Sequence, residues 1–333
     1  MEPLEFLRNS RDDHAALKGK RCVTAFLRGA IWGLMFEKVE RIAAVGDLHG
    51  NASAASRAIR YAAENDAQLV IQVGDFGWWP TTGRTRRKPY GEGFTIWVDQ
   101  VCRRYDIPLL WIRGNHEHHP LLFEERRRHG VDDEPWWLHD HVGHWPDGLV
   151  LPIGGRRWLA IGGAHSVDRS LRTSGVDHFD TETLDESEID VIARAGHMDV
   201  DVVVAHEAPI GVPFLRHRLR QSLPAHRRQQ LDATSHTKGS LGAGSWPVGD
   251  LTAADDYQRL LRRVFDGQVR HGMYDPGLGR LRAGGVWLHG HHHVAYTDTL
   301  IGRTIRGLGS DTGPVEELVV VLDPTGQALP RRA

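Results

Sequence analysis

Short apolar runs recur along the chain between segments of helical composition. Residues 41–45 (RIAAV), 69–73 (LVIQV) and 108–112 (PLLWI) are such runs, the pattern of strands covered on both faces. Residues 51–65 (NASAASRAIRYAAEN) and 94–105 between them read as helices. Strand–helix–strand alternation predicts βαβ units with a parallel sheet.

The rhythm changes after residue 149. Residues 149–153 and 158–161 flank Gly154-Gly155-Arg156-Arg157, a hairpin signal. Helices follow near 185–195 and 254–265, with strands at 201–205 (DVVVA), 286–289, 295–299, 304–308 and 317–322. A second sheet with helices outside it fits this order better than one doubly wound sheet. Residues 211–285 break the pattern: one part is dense in Arg and His, another in Gly and Ser. They read as a long excursion between core strands, either a lid or a disordered connection.

Polar residues gather where the strands end. The first strand runs into Gly46-Asp47-Leu48-His49-Gly50, the second into Gly74-Asp75, and the third into Gly114-Asn115-His116-Glu117. DVVVA delivers His206, and VWLHG delivers Gly290-His291-His292-His293. Carboxyl ends of strands are where α/β folds place their chemistry. In an extended D-x-H or H-x-H segment residues i and i+2 share a side. Asp47 with His49, and His291 with His293, are therefore expected to converge while Leu48 and His292 point elsewhere. Glycines 46, 74, 114 and 290 are expected to let the backbone turn sharply. A mixed Asp, Asn and His set suits manganese, iron or zinc better than magnesium or calcium.

Composition adds limits. The 333 residues carry 41 Lys and Arg against 43 Asp and Glu, so net charge gives no support for nucleic-acid binding through bulk electrostatics. Two cysteines, Cys22 and Cys102, fit a reducing cytoplasm and exclude a disulfide framework. The apolar stretch 25–36 is interrupted by Arg28 and is shorter than the roughly 20 residues a membrane span needs. Met35 just before the first strand suggests that residues 1–34 are a dispensable extension, the product of an upstream start assignment. The histidine count, 21, motivates a search for ligand spacing and proves nothing alone.

The ordered blocks GDLHG, GD, GNHE, a lone His after an apolar strand and GHHH resemble those of the calcineurin-like metallophosphoesterases over residues 41–322. The resemblance implies an α/β (α+β) fold, a four-layer α/β/β/α sandwich of two mixed sheets meeting at a dinuclear metal centre. It implies that Asp47, His49, Asp75 and His293 bind one divalent ion, and that Asp75 bridges to a second completed by Asn115, His206 and His291. The implied cofactors are two divalent ions, Mn2+ first and Fe or Zn next. The implied reaction is hydrolysis of a phosphate mono- or diester by metal-activated hydroxide, with His116 as general acid. The expected substrate is a phosphorylated small molecule or nucleotide. A cyclic-nucleotide or nucleic-acid phosphodiesterase and a dinucleoside polyphosphate hydrolase are the alternatives; a non-catalytic scaffold would have eroded ligands, and these are intact. The catalytic domain is expected over 39–323, with 1–38 as extension, 211–285 as insertion and 324–333 as tail.

The second block departs from the GDxVDRG of the Ser/Thr protein phosphatases: Phe76-Gly77-Trp78-Trp79-Pro80 follows Asp75. The Asp that would orient the catalytic His and the Arg that would grip phosphate are both missing. Residues 162–169 (GGAHSVDR) resemble a segment of bacterial and phage-type members, where His165 and Arg169 are candidate substrate contacts or parts of a structural turn. His118, His119, His139, His141 and His144 are expected at the surface. Trp78 and Trp79 are candidate base-stacking groups, and Arg216, Arg218, Arg220, Arg227 and Arg228 a basic lid or a solvated helix.

Overall fold

In a computed structural model, residues 36–79, 92–130, 134–195, 199–222, 248–266, 269–270, 273–274 and 281–332 are described. Strands β1 (Ile42–Val45), β2 (Leu69–Gln72) and β3 (Leu109–Trp111) run parallel, linked by helices α1 (Ala52–Glu64) and α2 (Glu92–Tyr105). Helix α3 (His119–His129) leads to β4 (Trp136–Trp137) and β5 (Val142–His144), the latter parallel to β3. The hairpin arrives as expected: β6 (Val150–Ile153) turns through Gly154 and Gly155 into β7 (Arg156–Ile161).

Helix α4 (Glu186–Ala195), β8 (Val200–Ala205), α5 (Pro213–Ser222) and α6 (Val248–Asp266) follow. A two-residue ladder, β9 (Val269–Arg270) with β10 (Met273–Tyr274), precedes β11 (Leu281–His289), β12 (Tyr296–Leu300) and β13 (Arg303–Gly307). The single-turn helix α7 (Val315–Leu318) and β14 (Val319–Leu322) complete the described elements. One sheet has the order β14-β1-β2-β3-β5-β4 and the other β12-β13-β11-β8-β7-β6, each with a parallel centre and antiparallel edges.

Strand alternation sorts the apolar side chains into three layers. Ile42, Ala44, Ile71 and Leu110 of the first sheet face Trp158, Ala160, Val202, Val204 and Leu288 of the second. On the opposite side of the first sheet, Ala43, Val45, Val70 and Trp111 pack under Ala55, Ala58, Ile59 and Ala62 of α1 and Val98 of α2. The outer side of the second sheet carries Leu159, Val203, Trp287 and Ile305 under Ile189 of α4 and Tyr257, Leu261 and Phe265 of α6. The architecture is therefore the α/β/β/α sandwich of two mixed sheets.

Two boundaries differ from expectation. Phe36 lies in the inter-sheet layer and its carbonyl accepts from the N–H of Gly154, so the packed chain reaches back before residue 39. The segment 211–285 is also not wholly an excursion. Val212 and Leu215 at α5, and the apolar stripe of α6, cover the second sheet. Residues 1–35 and 223–247 lie outside the described residues, including Cys22, Met35 and the Arg227–Arg228 part of the basic run. No helix among the described residues is long and apolar enough to cross a membrane.

Candidate metal centre

Because the parallel strands of each sheet share a direction, the ends of β1, β2, β3, β8 and β11 meet along one edge of the sandwich. Gln72, a buried amide inside an apolar strand, ties two of these ends together. Its Nε2 donates to the carbonyls of Gly46 (3.1 Å) and Gly74 (2.5 Å), and its Oε1 accepts from the N–H of Gly74 at 3.1 Å.

Two triads of ligand atoms form there, Asp47/His49/His293 and Asp75/His206/His291, each with its atoms within 4.8 Å of one another. His293 Nε2 is 3.0 Å from Asp47 Oδ2. Asp75 Oδ2 stands between the triads, 3.4 Å from His49 Nε2 and 3.3 Å from His206 Nε2. Asn115 Oδ1 lies 3.0 Å from His206 Nε2. All seven expected ligands are thus brought to one edge, and the neighbours expected to point elsewhere do so: Leu48 packs in the outer core and His292 sits 2.7 Å from Glu207.

Convergence has a different cause from the one expected. His49, Asp75, His291 and His293 have φ of 46°, 54°, 61° and 52°, so they sit in left-handed turns and not in extended D-x-H or H-x-H segments. Such backbone costs on the order of 1–3 kcal/mol per non-glycine residue and persists where surrounding contacts impose it. The glycines also act differently. Of the four, Gly74 has a positive φ (99°). A Cβ on Gly114 would collide with Asp75 Oδ1, and one on Gly290 with Asp47 Oδ1. These positions are small so that the carboxylates can lie against the neighbouring backbone. Gly290→Ala is accordingly expected to displace Asp47 and weaken Mn2+ binding by more than tenfold in a calorimetric titration, with the far-ultraviolet spectrum unchanged.

Charge and lone pairs at this edge fit cations. His206 Nδ1 donates to the Val73 carbonyl at 2.8 Å, which leaves Nε2 to offer a lone pair once its proton is displaced. That lone pair, Asn115 Oδ1 and Asp75 Oδ2 point at one another. Asp75 Oδ1 accepts from the N–H of His116 at 2.8 Å, whereas Oδ2 is buried and takes no hydrogen bond among the described residues. Burial pushes the His206 imidazole down, but Asp75 and Asp47 outweigh it and hold it at about 9. His49 is likewise lowered by burial and lifted by Asp311, Asp75 and Asp47, to about 11. Burial alone would raise the Asp75 carboxyl; His206 and His116 hold it well below the usual range. Protons thus balance the carboxylates in the chain itself, and metal ions would displace them.

Outer partners fix the ligands and were not legible in the spacing. Asp311 Oδ1 is 3.0 Å from His49 Nδ1, and its Oδ2 accepts from Asn51 Nδ2 at 3.0 Å while Asn51 caps α1. Asn115 Nδ2 donates to Ser166 Oγ (2.9 Å), which donates to the buried Glu182 (2.8 Å). Glu117 accepts the N–H groups of Gly77 and Gly114, joining two ligand loops. Burial and the Asp75 charge raise its carboxyl to about 7. Asp311→Asn is expected to cost Mn2+ affinity on the order of 10–100-fold, the usual loss for such a partner, read in the same titration.

The sequence model of the calcineurin-like phosphoesterase family matches residues 40–234, more than half of the chain. The chain belongs to the calcineurin-like phosphoesterase family. The match takes in Asp47, His49, Asp75, Asn115 and His206; His291 and His293 come from beyond it, on the loop after β11. Among solved structures, the crystal structure of TT1561 of Thermus thermophilus is similar at 10% identity, covering 86% of this chain and 95% of that one with a TM-score of 0.43. No curated protein sequence matches the chain.

In this family member a cleft of about 360 Å³ opens beside the triads, lined by His49, Asp75, Gly77, Trp79, His116, Arg172 and Asp177. His116 belongs to neither triad. Burial and Arg172 lower its imidazole, against the pull of Asp75, to about 4. Arg172 had no motif to announce it, yet its guanidinium nitrogens lie 2.8 and 3.1 Å from the two ring nitrogens of His116. Arg169, the candidate from the GGAHSVDR segment, pairs instead with Asp180 and Glu182. His165 is buried with Nδ1 3.9 Å from Glu182, one residue from the Ser166 that holds Asn115.

The tryptophan pair divides. Trp78 packs against Trp111 and Trp136 in the outer core, while Trp79 lines the cleft and donates from Nε1 to the His116 carbonyl at 2.7 Å. The histidines expected at the surface are not there: His119 and His144 are 0% and 1% exposed, and His118, His139 and His141 are half-buried.

Proposed function

We propose that this family member hydrolyses a phosphate mono- or diester in the cytoplasm with two divalent ions, Mn2+ before Fe or Zn. The observation that carries the reading is Asp75 Oδ2, buried without a donor among the described residues and shared between the Nε2 atoms of His49 and His206. Asp47, His49, Asp75 and His293 would hold one ion, and Asp75, Asn115, His206 and His291 the other. When bound, such ions supply a nucleophile from water at neutral pH and neutralise phosphoryl charge. The chain's own residues do the rest. Asp311, Ser166 with Glu182, and the Val73 carbonyl fix the ligand orientations. His116, at the cleft wall and in neither triad, is the general acid: the charge of a bound phosphate offsets Arg172 and raises the ring pKa, and the ring then gives its proton to the leaving oxygen. Trp79 in the cleft favours a nucleotide among phosphorylated substrates, since an aromatic face stacks on a base.

The test is to strip the protein, add Mn2+ back, and assay p-nitrophenyl phosphate, bis-p-nitrophenyl phosphate and single-stranded DNA. Turnover of at least one ester is expected, and His116→Ala is expected to lower kcat on the order of 10²–10⁴-fold. No turnover of any ester with Mn2+ bound would overturn the reading.

A further inference from the structure

The loop after β7 brings an arginine to the cleft. Arg172 is 17% exposed and bonded from Nη2 to Asp168 Oδ2 at 2.8 Å. The turn that carries it is closed by Asp177, which accepts the N–H of Thr173 at 2.6 Å, and by the Gly175 N–H on the His178 carbonyl at 2.9 Å. Its guanidinium lies within 3.1 Å of both nitrogens of one imidazole. Each arm of the fork has one acceptor behind it, the Asp177 carbonyl for Nη1 (3.4 Å) and Asp168 for Nη2, and turns toward His116 at the cleft wall. Neither triad includes Arg172, and its neighbours in the cleft are His116, Trp79 and Asp177.

We infer that Arg172 is the phosphate-gripping residue of this cleft, its fork directed at non-bridging phosphoryl oxygens, with Asp168 as its positioning residue. The inference rests on the phosphoesterase reading for its substrate and on the loop geometry for its residue. A guanidinium matches two oxygens of a phosphate at once, which an ammonium does not. A monoester brings more negative charge than a diester, so Arg172 favours monoesters.

The experiment measures inorganic phosphate binding by calorimetry to the full chain, Mn2+-loaded and stripped, for wild type, Arg172→Ala, Arg172→Lys and Asp168→Asn. Arg172→Ala is expected to weaken phosphate on the order of 10–100-fold, the loss of one charge-assisted contact pair. Arg172→Lys and Asp168→Asn should fall between, with Mn2+ affinity unchanged. KM for p-nitrophenyl phosphate should rise more than KM for bis-p-nitrophenyl phosphate, with a smaller change in kcat. Equal phosphate affinity in wild type and Arg172→Ala would overturn the assignment, as would a loss of phosphate that tracks a loss of Mn2+, or a wild type that binds no phosphate. Arg172-dependent phosphate binding in a chain that hydrolyses no ester would leave the clamp standing and remove the proposed function instead.

Discussion

Asp75→Asn is expected to lower hydrolysis by at least on the order of 10³-fold and to abolish tight Mn2+ binding. Outer partners of metal ligands are worth about 10–100-fold each, and Asp75 faces both triads. The substitution keeps the acceptor that takes the His116 N–H through Oδ1. It replaces Oδ2 by a donor aimed at His49 Nε2 and His206 Nε2. With His206 Nδ1 already donating to Val73, that amide satisfies the lone pair at Nε2 by a neutral hydrogen bond and leaves no place for a cation. The fold should persist, because Asp75 sits just past the end of β2 and outside the apolar layers. Calorimetric titration with Mn2+ and the melting temperature of the stripped protein check both halves. Retained Mn2+ affinity would show that Asp75 is not shared between two ions.

The outcome bears on what the chain reveals before it is folded. Both sheets and the edge that carries the triads were legible, because parallel strands place their carboxyl ends together and four of the five strands there run into Gly plus a ligand type, the fifth straight into His206. The local geometry was not. Left-handed φ at His49, Asp75, His291 and His293 is imposed by contacts from other segments, among them the close approach of Asp47 to Gly290 and of Asp75 to Gly114. No period in the sequence encodes such contacts.

Outer partners were hidden for a related reason. Asp311 reaches His49 across 262 positions, and Arg172 reaches His116 across 56. Neither stands in a block with a spacing to notice, whereas Arg169 stands in a recognisable segment and is the less well placed of the two arginines. Glu117 stands openly in GNHE, but its work is to bind two backbone N–H groups, which ligand spacing does not signal. The short elements β4, β5 and α3 escaped because two- and three-residue strands and a helix whose apolar residues are confined to one short run lack periodicity. Helix α5 was lost in the same Arg-rich composition that suggested a lid.

The histidines that the triads do not use carry a stability prediction. His119 and His144 are buried; burial, with Arg113 beside His119 and with Arg126 and Arg113 beside His144, disfavours their charged forms. His119 is lowered to about 3, and His144 falls well below its ordinary value. In the unfolded chain each binds a proton near pH 6.5, which the folded chain refuses. Stability is therefore present above that pH and is lost as pH falls through it toward the folded values. Each such histidine removes about 2 kcal/mol between pH 7 and pH 5 by this linkage, a large share of the roughly 5–15 kcal/mol that holds a typical domain. His49 and His206 offset part of the loss above pH 6.5: with folded values raised to about 11 and about 9, their contribution grows as pH falls toward 6.5 and levels off below it, so the acid loss is read below that pH.

His144 isolates the effect. Its ring packs edge-on against Trp111 at 4.6 Å between centroids, and neither ring nitrogen has a hydrogen-bond partner among the described residues. His144→Leu therefore removes a titrating group without breaking a hydrogen bond. Urea unfolding of the stripped protein from pH 6.5 to pH 5 should show stability falling in the wild type. The fall should be shallower in His144→Leu, by about 1.4 kcal/mol per pH unit at the acid end, one proton's worth. Parallel slopes in the two proteins would mean that His144 charges inside the folded chain, and the burial of that ring would then not be what drives acid unfolding.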